Sequence, residues 1–221
     1  MTMSFAGAEL STNRGDRLAE VLRTRILEGV YPPGSWLREA DLREEFGFSN
    51  GPVRDAFQGL VADGLAERIP SKGVRVIELD KRQLLDLFRL RLALLQYAAE
   101  RAARHASQEA LTQGLDMLRD LNDQLDAART ESGQQRFTGE LSRWLLEAAE
   151  CPMVSEVYGN AVIRTQIYLN AMLHKTGGAR LKPHIETLVH RVVERDAEGA
   201  RKAVQDLTIQ TLRDMDIEPD I

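Results

Sequence analysis

The stretch Ser49–Gly73, SNGPVRDAFQGLVADGLAERIPSKG, leaves this chain few ways to fold. It opens as a helix start. Ser49 is placed to cap, its hydroxyl accepting from an early helical N–H, and Pro52 falls in the first turn, where a missing donor costs little. Val53, Phe57, Leu60 and Val61 recur at helical spacing and form one apolar face. Gly64 then stands at the C′ position, which favours a left-handed residue. Beyond it, Ala66–Ile69 and Val74–Ile77 pair as short strands around Pro70-Ser71-Lys72-Gly73. Upstream, Arg38–Phe46 reads as another short helix, with Gly47-Phe48 as the turn. Two short helices joined by a Gly-containing turn, then a hairpin, spell a winged helix-turn-helix.

In that geometry the second helix enters a DNA major groove by its N-terminal end. The residues expected to reach DNA are Ser49, Asn50, Gly51 and Arg54, with Lys72 and Gly73 at the wing tip and Arg38 at the start of the preceding helix. Net charge argues against a general nucleic-acid coat: the chain carries −5 overall, and residues 1–77 hold 10 Lys+Arg against 11 Asp+Glu. Binding must therefore rest on local placement. Arg54, Arg68, Lys72 and Arg75 fall in the recognition helix and wing, while Asp41, Glu44 and Glu45 fall in the preceding helix. Few phosphate contacts per copy imply weak binding by a monomer and a dependence on dimerisation.

At these residues the sequence resembles the GntR family of bacterial transcription regulators. The matching segments are ILEGVYPPGSWLREADLREEFGFSNGPVRDAFQGLVADGLAER and SKGVRV, within about residues 14–78. One departure bears on specificity. After the Ser the family usually carries Arg-Thr, and here it is Asn50-Gly51. Asn reads adenine through a bidentate pair whereas Arg favours guanine, so the family's operator sequence does not transfer.

Outside that segment the pattern is helical. Asp16–Glu28 is amphipathic, with Leu18, Val21, Leu22, Ile26 and Leu27 clustered at helical spacing, and it backs the helix-turn-helix as a third core helix. From Leu84 onward the stripe Leu84, Phe88, Leu92, Leu95, Ala99, Ala103 is followed by Leu111, Leu115, Leu118, Leu121, Leu125, Ala128. Further helices are expected over Phe137–Ala149, Met153–Leu173, Leu181–Glu194 and Asp196–Met215, the last capped by Asp196. The expected fold is mainly α: an N-terminal winged helix-turn-helix with a small β-hairpin, then an all-α bundle of about six helices. The expected division is a loose tail over 1–13, a winged domain over 14–78, a linker over 79–83 and a helical domain over 84–216. The 221 residues contain one cysteine, Cys151, which excludes an internal disulfide and fits a reducing cytoplasm. No run of about 18 apolar residues is present, so no membrane span is expected. MTMSFAGAEL lacks the basic and apolar regions of a signal peptide.

This order of elements looks like the FadR subfamily of GntR regulators, whose helical domain is the ligand-binding FCD domain. The likeness rests on LFRLRLALLQYAAERAA, LLEAAECP and VVERDAEGARKAV. Many FCD domains hold a divalent metal through one Asp and three His. Carried over from Cys151-Pro152, the first two positions are Thr138 and Ser142, the third is near Ile185 with His184 one residue away, and the fourth is Leu207. Thr, Ser, Ile and Leu do not supply the ligands such an ion needs, so no metal or other cofactor is expected.

Three residues are candidates for an effector site. Arg91 lies near the apolar stripe of the first bundle helix. The FCD pattern has a Glu four residues after this Arg, but here that position is Leu95. A partly buried guanidinium without its carboxylate needs another partner, and a bound anion would serve; the alternative is a rim Arg with its stem on the core and its head in water. Arg164 and Tyr168, four apart, share a helix face and could fix a carboxylate or phosphate; the alternative for Arg164 is an interhelical ion pair. Enzyme motifs are missing: there is no Gly-rich phosphate loop, no H-E-x-x-H and no G-x-S-x-G.

The resemblance implies a cytoplasmic homodimeric transcriptional regulator, more in keeping with a repressor, that binds a pseudo-palindromic double-stranded operator and answers to a small organic acid or acyl compound. The alternative is a helical protein-interaction module whose winged domain has lost DNA binding, to which Asn50-Gly51 and the acidic balance give weight.

Overall fold

A computed structural model describes residues 14–127, 131–176 and 179–221; the expected tail over 1–13 lies outside them. Helix α1 (Arg14–Leu27) carries Leu18, Leu22 and Ile26 one turn apart, and all three are buried. It packs along α3 (Asn50–Ala62), which turns Val53, Ala56, Phe57 and Leu60 into the same core. The short α2 (Glu39–Phe46) buries Leu42 and stops at Gly47, whose φ of 65° lies in the left-handed region.

Helix α3 ends as its glycine foretells. The Leu65 N–H donates to Leu60 O and the Gly64 N–H to Val61 O, both at 3.0 Å, and Gly64 has φ +74°. These are the paired bonds of a Schellman motif. The other end differs from expectation. Ser49 does occupy the N-cap position, with φ −75° and ψ 175°, but its hydroxyl makes no capping hydrogen bond. A cap hydroxyl normally accepts from the second or third helical N–H. The third helical residue here is Pro52, which has none.

The sheet has one strand more than the expected hairpin. β2 (Ala66–Ile69) and β3 (Gly73–Val76) form the hairpin, and β1 (Trp36–Leu37) adds to the free edge of β3; all pairs are antiparallel. Two residues are too few to show an alternating pattern.

Six helices follow among the described residues: α4 (Lys81–His105), α5 (Gln108–Ala127), α6 (Glu131–Ala148), α7 (Pro152–Thr176), α8 (Lys182–Val193) and α9 (Ala197–Asp214). The polar stretch expected as a linker is mostly helix. Asp80 caps α4 by accepting from the Gln83 N–H (2.8 Å), and the Gln83 side chain accepts from the Asp80 N–H (3.0 Å). This reciprocal box fixes the direction of α4 as the chain leaves the sheet. Ala98, Ala99, Ala102 and Ala103 are fully or nearly fully buried on α4, and their small side chains let α9 pack closely along it. Asp196 caps α9, accepting from the Gly199 N–H at 2.9 Å. No described helix is long and apolar enough to cross a membrane.

Helix α7 is the exception to one-sided burial. Tyr158, Leu169, Met172 and Leu173 join the core of the bundle, whereas Ile167, with Ile163 beside it, joins the core of the winged domain. At 100° per residue these two sets lie on opposite faces of the helix.

Candidate nucleic-acid interface and ligand cavity

The first turn of α3 is presented outward: Ser49, Asn50, Gly51 and Arg54 are all exposed. The Arg54 side chain is 61% exposed, its Nε 3.5 Å from Glu39 Oε1 on α2. Next to it an open groove of about 590 Å³ runs between the start of α2 and the wing, lined by Trp36, Arg38, Glu39, Arg68, Lys72 and Gly73 among others. Arg38, Lys72 and Gly73 are therefore brought together, while Ser49, Asn50 and Gly51 stand outside the groove lining. The tip holds its bend through Ser71 (φ 61°) and Gly73 (φ 112°). Arg68, exposed and free of ion pairs among the described residues, adds a cation to the groove.

Two charges counted toward the surface are engaged internally. Arg75 is half-buried, its Nη2 2.6 Å from Glu67 Oε1 and its guanidinium 5.9 Å above the Trp36 ring. The hydrogen bonds that it donates to Glu67 raise its pKa above the usual arginine value. It braces the sheet and is not a loose cation for phosphate. Glu45 is likewise tied to Arg25 at 2.6 Å, and that hydrogen bond holds its carboxyl below the usual range.

The second site lies inside the bundle. A cavity of about 40 Å³ is lined by Phe88, Arg91 and Leu95 of α4, Leu141, Ser142 and Leu145 of α6, and residues of α7, α8 and α9 that are apolar but for Thr208 and Thr211. Arg91 Nη2 donates to Ser142 Oγ at 3.3 Å, and the Tyr158 hydroxyl donates to the same oxygen at 2.8 Å. The guanidinium sits 5.4 Å from the Tyr158 ring centre. Arg91 Nη1 is buried and finds no acceptor among the described residues. Ser142, Ile185 and Leu207, three positions that the FCD resemblance gives to metal ligands, all line this cavity; the side chain of Thr138 lies outside the described ones. A hydroxyl and two aliphatic side chains do not fit a divalent cation.

Arg164 and Tyr168 do not join Arg91. Both lie on the seam between bundle and winged domain. The Arg164 side chain reaches Gly64 at the end of α3. The Leu79 N–H donates to the Tyr168 hydroxyl oxygen at 2.6 Å, and that hydroxyl faces Leu79 O at 3.4 Å. Burial raises the Tyr168 pKa, an effect the bond from Leu79 opposes and Glu78 reinforces. Nearby, Asn170 Nδ2 donates to Leu27 O at 3.0 Å, where α1 ends. Sequence reasoning did not single out Ile167, Asn170, Tyr158 or a binding role for Ser142. One signal was present: α7 is apolar on more than one face, which marks a helix packed from two sides.

Residues 14–76 match the bacterial regulatory proteins of the gntR family, and residues 86–209 match the FCD domain. The chain is 27% identical over 198 residues to the HTH-type transcriptional regulator McbR of Escherichia coli, covering 86% of this chain and 87% of that one. It is 32% identical over 98 residues to the gluconate operon transcriptional repressor of Bacillus licheniformis, covering 44% and 40%. Several such matches span about two fifths of the relative's length. Among solved structures, E. coli McbR/YncC superposes with a TM-score of 0.72 at 23% identity, over 92% of this chain and 97% of that one. The relatives are regulators and not enzymes. The chain belongs to the FCD-domain family, with a gntR-family helix-turn-helix at its N-terminus.

Proposed function

We propose that this protein is a cytoplasmic, ligand-responsive DNA-binding transcriptional regulator of the FadR type, acting as a homodimer on a pseudo-palindromic operator. The groove that joins Arg38, Arg68, Lys72 and Gly73 beside the exposed first turn of α3 carries the reading. In it, Ser49, Asn50, Gly51 and Arg54 meet base edges and the near phosphates, and Lys72 and Gly73 meet the backbone or the minor groove. Two-fold pairing of copies supplies the phosphate contacts that one winged domain lacks. Repression is in keeping with the gluconate operon repressor among its relatives. The winged domain is taken as residues 14–78 and the effector and dimerisation domain as 84–216. The effector is a small organic acid or acyl compound held near Arg91, and Arg164 and Tyr168 carry its presence to the DNA head through the seam.

The test is binding of the full chain to DNA flanking its own gene, followed by fluorescence anisotropy over a salt series. Salt-sensitive binding that Arg54→Ala abolishes supports the regulator. No binding even at low salt supports the alternative, an interaction module whose winged domain no longer grips DNA.

A further inference from the structure

We propose that the cavity between α4 and α6 is a metal-free carboxylate site, in which Arg91 alone neutralises a short, apolar monocarboxylic acid. The inference rests on the effector reading above and departs from the metal chemistry that the FCD resemblance implies.

The donor set is the first ground. Where that resemblance calls for ligating side chains, the cavity wall presents Ser142, Ile185 and Leu207. Among the described residues no group of three or more His, Cys, Asp or Glu is placed to hold a metal ion. The cation that a carboxylate would otherwise find in the metal is supplied by a guanidinium.

The state of Arg91 is the second ground. It makes no ion pair among the described residues, and its Nη1 is buried without an acceptor. Leaving a charged donor in an apolar wall is unfavourable, and the deficit disappears when an anion accepts from it. The neighbouring hydroxyls point to the same chemistry. Ser142 Oγ already accepts from Arg91 Nη2 and from the Tyr158 hydroxyl. With both lone pairs engaged, its own proton is what Ser142 has left to offer a ligand. Arg91 Nη1 and the Ser142 hydroxyl thus form a two-donor cradle suited to the two oxygens of a carboxylate.

Size and polarity set the class. A cavity of about 40 Å³ holds roughly three to four water-sized groups, enough for a short acid and not for a long acyl chain. Apart from Arg91, Ser142, Thr208 and Thr211, its lining is apolar. A dicarboxylate would bury its second charge without a partner, and a phosphate dianion would meet one cation where two are needed.

The experiment measures thermal shifts and calorimetric binding on the full chain after dialysis against EDTA. The probes are acetate and propionate, with acetamide, succinate and inorganic phosphate as controls. The expected result is stabilisation by the two monocarboxylates alone, unchanged when zinc or manganese is restored. Arg91→Gln should weaken their affinity at least tenfold and Ser142→Ala several-fold. Circular dichroism and operator binding without ligand serve as checks that both variants fold. Stabilisation that requires added metal, that persists in a folded Arg91→Gln, or that no monocarboxylate produces would overturn the site. A carboxylate that binds through Arg91 without altering operator affinity leaves the site standing and overturns the regulatory role given to it.

Discussion

The guanidinium of Arg164 fills the space that a side chain on Gly64 would take, its Nε 2.8 Å from the point where a β-carbon would stand. The contact joins α7 of the bundle to the turn that ends the recognition helix. Gly64→Ala therefore meets two obstacles. A left-handed alanine costs about 1–2 kcal/mol, whereas a guanidinium at the end of a flexible side chain can swing aside. The backbone effect should dominate. Urea unfolding should show a loss of about 1–2 kcal/mol for Gly64→Ala, most of which persists when Arg164→Ala is added. Full relief in the double variant would mean that the contact, and not the left-handed backbone, sets the requirement for glycine.

Ile167 is the anchor of the seam. It is 2% exposed in the core of the winged domain although it belongs to a bundle helix. Ile167→Ala should cost about 2–5 kcal/mol in that contact. Because Ile167 is the most deeply buried of the side chains that the bundle offers to the head, beside Ile163, Arg164, Tyr168 and Asn170, the loss should also uncouple the two parts. Scanning calorimetry should resolve one transition in the parent and two in the variant. Tyr168→Phe removes one hydrogen-bonded hydroxyl and should cost about 1 kcal/mol with a single transition retained. A single, merely earlier transition in Ile167→Ala would show that the coupling runs elsewhere.

The winged domain was legible in sequence because its signals are local. A glycine two residues past α3, a proline in its first turn and a tip of Pro-Ser-Lys-Gly each dictate backbone within a few residues. The missing cap on Ser49 runs against the expectation from sequence, although Pro52, which removes one of the two usual donors, stood in plain view. Arg75 was not, because its pairing with Glu67 across the hairpin depends on register, which composition does not reveal. Arg164 and Tyr168 show the same limit in the bundle. Their spacing correctly puts them on one face, but which neighbour that face meets is a tertiary matter. The gap between Arg91 and its cavity partners in sequence, 51 residues to Ser142, hides the cradle from any local pattern.

Glu45 gives a pH dependence of known sign. Its hydrogen bond to Arg25 holds the folded carboxyl below the usual value of 4.5. The unfolded chain therefore takes up a proton first as pH falls. Stability from this pair is complete above pH 4.5 and is lost as acid carries the solution down through the depressed folded value. Glu45→Gln should leave a flatter acid limb in a plot of unfolding midpoint against pH, with the two proteins converging at the most acid end. The pair is solvent-exposed, so raising salt should shrink the difference. An acid limb identical in both proteins would remove Arg25–Glu45 from the account.

Arg54 and Glu39 set the last expectation. Glu39 Oε1 lies 3.5 Å from Arg54 Nε and lines the same groove as Arg38, Arg68 and Lys72. A carboxylate there competes with phosphate for the arginine, and an exposed ion pair is a weak competitor, worth about 0–1 kcal/mol. DNA bound at this face must break the pair or accept a buried negative charge beside its own. Glu39→Gln should therefore tighten binding by up to about fivefold at low salt, the equivalent of that energy, and at every DNA sequence alike. Lys72→Ala should act the opposite way, weakening binding uniformly and reducing the slope of log K against log salt by about 1. Anisotropy titrations of both variants on two unrelated duplexes measure the two effects together. If Glu39→Gln weakens binding, Glu39 holds Arg54 in its reading position and does not compete with the DNA for it.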